Sequence, residues 1–536
     1  MERRLLIASL LTLFIWFGYA EYLRRTAPPP SPRPAPGASS EAVPVPGGPT
    51  GPSPTAGIIS PSPPGPAAAA PPIRTPEKTF ALETPLYRAV FTSRGARLRG
   101  LDLKKYADRL GKGARPVDLV HVTKDDPQGW PLGLRLVGDQ ASIGLEALDF
   151  EGVRNGSTLR FTATAPGGVA VTKTYTVDPA SYLLTLEVEA RNLASEEKRL
   201  GIGLVWTNST DPKHHDSRQE GHVGPVLLVG SDVERVDIKE LDQEQRFTGN
   251  VLWTGFETKY FLAAMIPDKP EQARSWIWKP SPKVVANELS FPPGSVPGGA
   301  ATSRSFRIYL GPKLISELKG AGVGLEESIA FGVFAILARP LLLILNFFES
   351  FVRNYGVAII LLTMLVRLAF YPLASKQFRS MKEMQRLQPL IQELKEKHGD
   401  DRERFNQEMM QLYRTHKVNP LGGCLPIVVQ IPVFIALYQA LLNSIELRQA
   451  PFFAWIQDLS APDHTYITPI LMTASMFAQQ RMSPPMADPM QQRVMMFMPL
   501  IFGFMFLNFP SGLVLYWLVN NILSIAQQYW INRQHG

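Results

Sequence analysis

Cysteine is nearly absent: Cys424 is the single one in 536 residues. That excludes an intramolecular disulfide and a cysteine-rich metal framework. Cys424 lies in the apolar run GGCLPIVVQIPVF and reads as a small buried residue. Acids are missing too, since no strongly hydrophobic stretch holds an Asp or Glu well inside it. This counts against a proton- or sodium-coupled transporter, whose ion sites use intramembrane carboxylates. The chain has no Walker A, G-x-S-x-G or H-E-x-x-H pattern, so nucleotide, serine-nucleophile and zinc-protease chemistry lack sequence support. Net charge is +8 with a pI near 9.3, yet Lys and Arg are dispersed without an RNA-binding signature.

Apolar residues make up 45% of the chain, unevenly placed. Residues 1–26 hold Met1-ERR followed by LLIASLLTLFIWFGYAEYL, an apolar run of about 19 residues, long enough to span about 30 Å of hydrocarbon. It lacks an A-x-A cleavage signal and carries bulky Trp16, Phe17, Tyr19 and Tyr22, so an uncleaved anchor is expected. Residues 27–76 are dominated by Pro, Ala, Gly and Ser, a composition that cannot bury enough apolar surface to fold and reads as a spacer.

Period-two alternation then takes over from 77 to 315, as in Ser157-TLRFTATA, Val169-AVTKTYTVD and Tyr182-LLTLEVEARN. This predicts an all-β sandwich on the non-cytoplasmic side. His214, His215, Asp216 and nearby His222 would be its one metal or catalytic candidate, but their spacing matches no tight ligand motif, and a polar loop is the plainer reading.

The remainder predicts a helical membrane core. Residues 316–353 read as an interfacial amphipathic helix and lead-in, because Arg339-Pro340 interrupts the apolar run and Glu326, Glu327 and Glu349 flank it. Five spans are expected near 354–374, 420–442, 466–481, 494–508 and 511–529, six with the anchor. Two of them are short enough to ask for a locally thinned bilayer. Ten Lys and Arg in 375–418, against Arg448 alone in 443–465, place the first segment and both termini in the cytoplasm.

Within the first of those spans stands Arg367. A charge at the bilayer centre costs about 2.5–3.5 kcal/mol on insertion scales, so it must face water or a partner that arrives from elsewhere. Snorkelling to the interface is the alternative, but Lys376 lies about 13 Å further along a helix, which Pro372 can kink between them. Polar company is at hand in Thr363, Gln430, Gln439, Asn520, Asn521, Ser524, Gln527 and Gln528, which suits a wet groove. Phe434, Met472, Met505, Tyr516 and Trp517 suit an apolar path beside it, or ordinary helix packing. In 375–418, Met384, Leu387, Ile391 and Leu394 repeat at helical spacing, answered by Phe405, Met409, Leu412 and His416 across a His398-Gly-Asp-Asp turn. That is an antiparallel helical hairpin, either packed on itself or a docking arm for a ribosome, a targeting receptor or an incoming chain.

The segments LVRLAFYPLASKQFRSMKEMQRLQP, KVNPLGGCLPIVVQIPVFIALYQAL, SIELRQAPFFAWIQDLSAPD, DPMQQRVMMFMP and FPSGLVLYWLVNNILSIAQQ closely resemble the YidC family of bacterial membrane protein insertases, in its long form. The resemblance implies a five-span core around a hydrophilic groove open to cytoplasm and lipid, in the bacterial inner membrane. It puts the groove arginine on Arg367, and the contact slide on Thr363, Phe434, Met472, Met505, Tyr516 and Trp517. Met505 and Asn508 depart from the aromatic residues common in relatives. The chain closes on Asn532-RQHG without a basic tail, so any ribosome docking is expected to use the cytoplasmic loops. Nascent membrane proteins, the lipid bilayer and the Sec translocon are the implied partners; no metal, small-molecule cofactor or bond-making chemistry is implied. A solute transporter and an anchored carbohydrate-binding sandwich are the competing classes.

Overall fold

The computed structural model describes residues 76–120, 129–138, 142–210, 221–398, 401–416, 425–482 and 489–535. The expected anchor, the proline-rich spacer, Cys424, and His214, His215 and Asp216 lie outside the described residues.

Twenty strands run from β1 to β20: Thr79–Glu83, Tyr87–Thr92, Arg97–Ala107, Pro116–Asp118, Gly133–Val137, Ser142–Gly144, Glu151–Asn155, Thr158–Ala165, Val169–Val177, Leu183–Asn192, Lys198–Ser209, Gly224–Val229, Asp232–Arg235, Gln245–Thr248, Val251–Glu257, Phe261–Pro267, Arg274–Ser281, Val284–Ser290, Gly294–Val296 and Ala301–Pro312. They form a nine-stranded sheet, ordered β13-β12-β15-β16-β20-β10-β9-β8-β7, and a seven-stranded sheet, ordered β14-β17-β18-β11-β5-β6 with β19 paired to β11 off that path. A four-stranded antiparallel meander, β1 to β4, adds a third.

Alternation sets which face goes inward. In β10, Leu184, Leu186, Val188 and Ala190 are buried while Glu187 and Arg191 stay exposed, as the period of two requires. Trp206 of β11 and Trp253 of β15 are fully buried. A buried polar knot ties the two large sheets together: Thr254 and Ser275 hydroxyls donate to Asn287 Oδ1 at 2.9 and 3.1 Å, and Asn287 Nδ2 donates to the Gly255 carbonyl at 2.8 Å. Leaving any of these groups unpaired in the core would cost about 1–3 kcal/mol.

Glu257, 1% exposed, closes β15 between Arg235 at 2.7 Å and Lys313 at 2.6 Å. Burial pushes its carboxyl upward, but the Lys313, Arg235 and His222 charges outweigh that and hold it below the ordinary range. Arg235 also donates to the Ser328 carbonyl at 2.8 Å, so the network binds the sandwich to the segment that follows it.

That segment begins with α1, Ile315–Ala321, and then α2, Ala335–Val352. The helical part continues with α3, Tyr355–Ala369; α4, Tyr371–Arg386; α5, Gln388–His398; α6, Arg402–Thr415; α7, Leu425–Asn443; α8, Ile467–Met482; α9, Pro489–Phe506; and α10, Ser511–His535. Residues Gly332–Val352 form the one described helix long and apolar enough to cross a membrane by length and composition. Yet Ala330 just before it, Asn346 on it and Asn354 just after it all meet residues 443–452, from the end of α7 into the loop that follows. Asn443 donates to the Ala330 carbonyl at 2.7 Å, Asn346 to Glu446 at 3.2 Å, and Asn354 to the Phe452 carbonyl at 3.1 Å. A helix running parallel to α7 would touch that loop at one end only, so α2 lies across the bundle end.

The expectation of one helix over 354–374 is corrected. α3 stops at Ala369, Phe370 forms the break, and Pro372 occupies the first turn of α4, where its missing N–H costs nothing. Asn354 caps α3 at its start by accepting from the Val357 N–H at 3.0 Å. The first arm of the expected hairpin is likewise two helices, α4 and α5, meeting at Leu387.

Candidate functional site

Around the bundle, α9 packs on α8, α8 on α10, α10 on α3, α3 on α2, and α2 on α7. α7 and α10 approach each other mainly through side chains. At one end the gap is stoppered. Ser511 and Gly512 N–H groups donate to the Ala461 and Leu459 carbonyls at 2.8 and 2.9 Å, and the glycine admits Ile359 and Leu447 against α10. Buried Leu362, Leu459 and Leu513 complete this apolar seal.

Beyond the seal sits Arg367, about 18 Å along α3 from the loop end at 1.5 Å per residue. It lies in the helix's last turn, where the C-terminal carbonyls favour a cation. Its Nε donates to Asn520 Oδ1 at 2.7 Å, and its Nη2 to the Asn520 carbonyl at 3.1 Å and to the Ser524 hydroxyl. Ser524 in turn donates to the Asn520 carbonyl at 2.7 Å, so one turn of α10 receives the guanidinium. All of these acceptors are neutral. Among the described residues no carboxylate forms a salt bridge with Arg367.

Other polar groups of α10 reach toward α8. Asn521 Nδ2 donates to Ser475 at 3.0 Å and Gln528 Nε2 to the Met482 carbonyl at 2.7 Å. Gln430 on α7 donates to the Tyr516 hydroxyl at 3.2 Å, across the gap. Trp517 Nε1 and Gln527 Nε2 are buried without a partner among the described residues, the condition in which protein groups hold water.

Two of the expected groove residues sit elsewhere. Thr363 is 1% exposed and its hydroxyl is spent on the Ile359 carbonyl at 2.6 Å, so it packs α3 against its neighbours. Gln439 bonds Asn443 near the Ala330 contact, at the far end of α7 from Gln430.

Of the expected apolar path, three residues converge. Phe434 meets Trp517 edge-on at 4.8 Å and Tyr516 at 6.5 Å between ring centroids. Phe502 and Phe506 of α9 extend the assembly to Trp517 at 6.3 and 5.3 Å. These two were not foreseen; their signal is the i, i+4 spacing in Phe502-GFM-Phe506. Met472 is fully buried in the bundle, while Met505 is 43% exposed on the outer face of α9.

In the hairpin, Met384, Leu387, Ile391, Phe405 and Leu412 form one small cluster with Leu390 and Tyr413. The two stripes therefore face each other, which is the self-packed form. Leu394 is half-buried and Met409 buried. Asp401 caps α6 by accepting from the Arg404 N–H at 3.1 Å. Among the described residues no group of three or more His, Cys, Asp or Glu side chains could hold a metal ion.

Among the described residues, a β-sandwich is joined to a helical bundle in which Arg367 is held by neutral acceptors near an aromatic cluster, an arrangement that suits a membrane protein. Residues 79–344 match the model of the YidC periplasmic domain, and residues 347–536 that of the 60Kd inner membrane protein. The membrane protein insertase YidC of Syntrophus aciditrophicus is 43% identical over all of both chains. That of Geobacter sulfurreducens is 42% identical over 99% of this chain and 98% of the relative. A crystal structure of an active YidC insertase, 19% identical, aligns over 85% of this chain and 93% of that one with a TM-score of 0.38. The chain belongs to the YidC family of membrane protein insertases.

Proposed function

We propose that this protein inserts nascent proteins into the bacterial inner membrane, through a groove lined by Arg367, Gln430, Asn520 and Ser524. The observation that carries this reading is that, among the described residues, the Arg367 guanidinium binds neutral oxygens and no carboxylate. Its charge remains available to a guest, whereas a salt-bridged arginine would be structural. Neither nucleotide nor covalent chemistry is required, so the protein is a non-enzymatic insertase and chaperone.

In this reading α3 and α7 to α10 are the five spans, α2 lies in the interface, residues 1–26 are a sixth span, and both termini are cytoplasmic. The crossing of α2 over one bundle end and the basic residues of 375–418 support that layout. The apolar stretch of α3 is only about 22 Å long at 1.5 Å per residue, which suits a thinned bilayer.

A client's apolar segment first meets the cytoplasmic hairpin, and its short polar tail enters the cleft. Arg367 and groove water lower the cost of that tail at depth. The apolar segment then passes along Phe434, Tyr516 and Trp517, with Met505 at the outer edge, into lipid under hydrophobic transfer. A Sec translocon, and a ribosome or targeting receptor at the cytoplasmic loops, are the expected partners.

Complementation of an insertase-depleted strain tests this with Arg367→Lys, Arg367→Ala and Arg367→Glu. Lys is expected to retain most insertion, and Ala and Glu to lose it most for clients with acidic translocated tails. Full activity of Arg367→Glu on every client refutes the electrostatic role.

A further inference from the structure

The sealed end of the cleft is held from outside by one loop. Residues 444–466 run from α7 to α8, and their Leu459 and Ala461 carbonyls receive the first turn of α10. Ser511 adds its hydroxyl to the Ala461 carbonyl at 2.7 Å. Between those two carbonyls lies Ser460, and Asp458 fixes its place. Asp458 Oδ1 accepts from the Ser460 N–H at 2.8 Å, the Ser460 hydroxyl at 2.7 Å and the Gln449 N–H at 3.0 Å. Three donors on one oxygen suit a carboxylate, whose charge strengthens each bond.

One of those donors belongs to a strained residue. Gln449 has φ 58°, in the left-handed region that a non-glycine residue keeps only where its surroundings enforce it. Here they are the Asp458 bond on one side and the sandwich on the other. The Gln449 and Arg448 side chains both donate to the Ala107 carbonyl at the end of β3, at 3.1 and 2.6 Å. Arg448 also lies 5.7 Å from the Phe261 ring centre, and that ring meets Tyr106 edge-on at 5.6 Å.

Packing does not replace these bonds. A cavity of about 840 Å³ opens between the sandwich and the helical part, with Arg448, Gln449, Asp458, Ser460 and Ser511 on its wall. Its four aspartates equal its Lys and Arg side chains in number, so it favours neither sign of ion. On that face the loop has space in place of neighbours, and hydrogen bonds hold it. We propose that Asp458 is a positioning residue that keeps the non-cytoplasmic end of the cleft shut, with Arg448 and Gln449 tying it to the sandwich. The chain of bonds runs from Ala107 through Gln449, Asp458 and Ser460 to the start of α10, the helix whose Asn520 and Ser524 receive Arg367. The inference rests on the membrane layout given under the proposed function, and concerns closure of the cleft and not the binding of a guest.

Full-length protein in spheroplasts, treated with a membrane-impermeant maleimide, tests it. Leu513→Cys in a Cys424→Ser background places the thiol in the seal, where Leu513 is 1% exposed. Adding D458A should speed its labelling about tenfold, because two N–H groups lose their acceptor and the loop opens more often. D458N keeps the oxygen without the charge and should fall between D458A and the parent. R448A/Q449A, which cuts only the tether, should do the same. Leu186→Cys, in the sandwich core, should stay protected throughout. Equal labelling of Leu513→Cys with and without D458A overturns the proposal. If D458A also exposes Leu186→Cys, that variant has unfolded and R448A/Q449A decides. No faster labelling of Leu513→Cys there overturns the proposal, and faster labelling with Leu186→Cys protected supports it. Phe453→Cys that reacts only in inverted vesicles overturns the membrane layout, and the same Leu513→Cys comparison in those vesicles still reads the clasp.

Discussion

Asn520 decides what Arg367 can do. As an amide its oxygen orients the guanidinium without cancelling the charge. In Asn520→Asp the same position would carry a carboxylate, and the arginine would become an ion pair. Insertion of acidic-tailed clients should then fall about tenfold, equivalent to about 1.4 kcal/mol of lost attraction. Asn520→Ala should lose less, measured by reconstitution with tails of graded acidity.

Glu257 poses the opposite case, a charge fully committed to partners. Its folded carboxyl lies below its unfolded value of about 4.3. Its contribution is therefore complete above about pH 4.3 and disappears as pH falls through the lower folded value. Glu257→Gln leaves Lys313 buried without its counter-ion and should cost about 3–5 kcal/mol, removing that acid-dependent step from thermal unfolding. A Glu257→Met, Lys313→Met pair should cost much less.

Among the elements, the α5–α6 hairpin has the thinnest core, and Leu387 and Ile391 are its best-buried apolar side chains. Ile391→Ala should cost about 2 kcal/mol, the low end for such truncations because the pocket is half open. Faster hydrogen exchange over 388–415, with no change around α10, would report it. The stripes were legible from helical spacing, but spacing does not say whether two stripes meet each other or a partner. Similarly, Thr363 and Arg367 share a helix face by their four-residue separation. Whether that face opens on a cleft or packs on α10 is a matter of the neighbouring helices, and Thr363 packs.

For the whole molecule, the sandwich and the bundle are coupled by a few named bonds. Arg235 holds the Ser328 carbonyl, Arg307 that of Ala321 at 2.9 Å, and Arg448 that of Ala107. None of these reaches Arg367. Deleting about 77–310 while keeping α1 onward should leave much of the insertion activity and lower the thermal stability, read by complementation and by melting in detergent.

Strand alternation and the apolar setting of Arg367 were settled by the sequence, since each depends on residues within a few positions of one another. The break at Phe370 was only hinted at by Pro372. The neutral cradle of Arg367, the lie of α2 across the bundle end and the cavity behind Arg448 were decided by tertiary structure. Each joins segments far apart in the chain, up to 341 residues for Arg448 and Ala107, and no local periodicity encodes such a meeting.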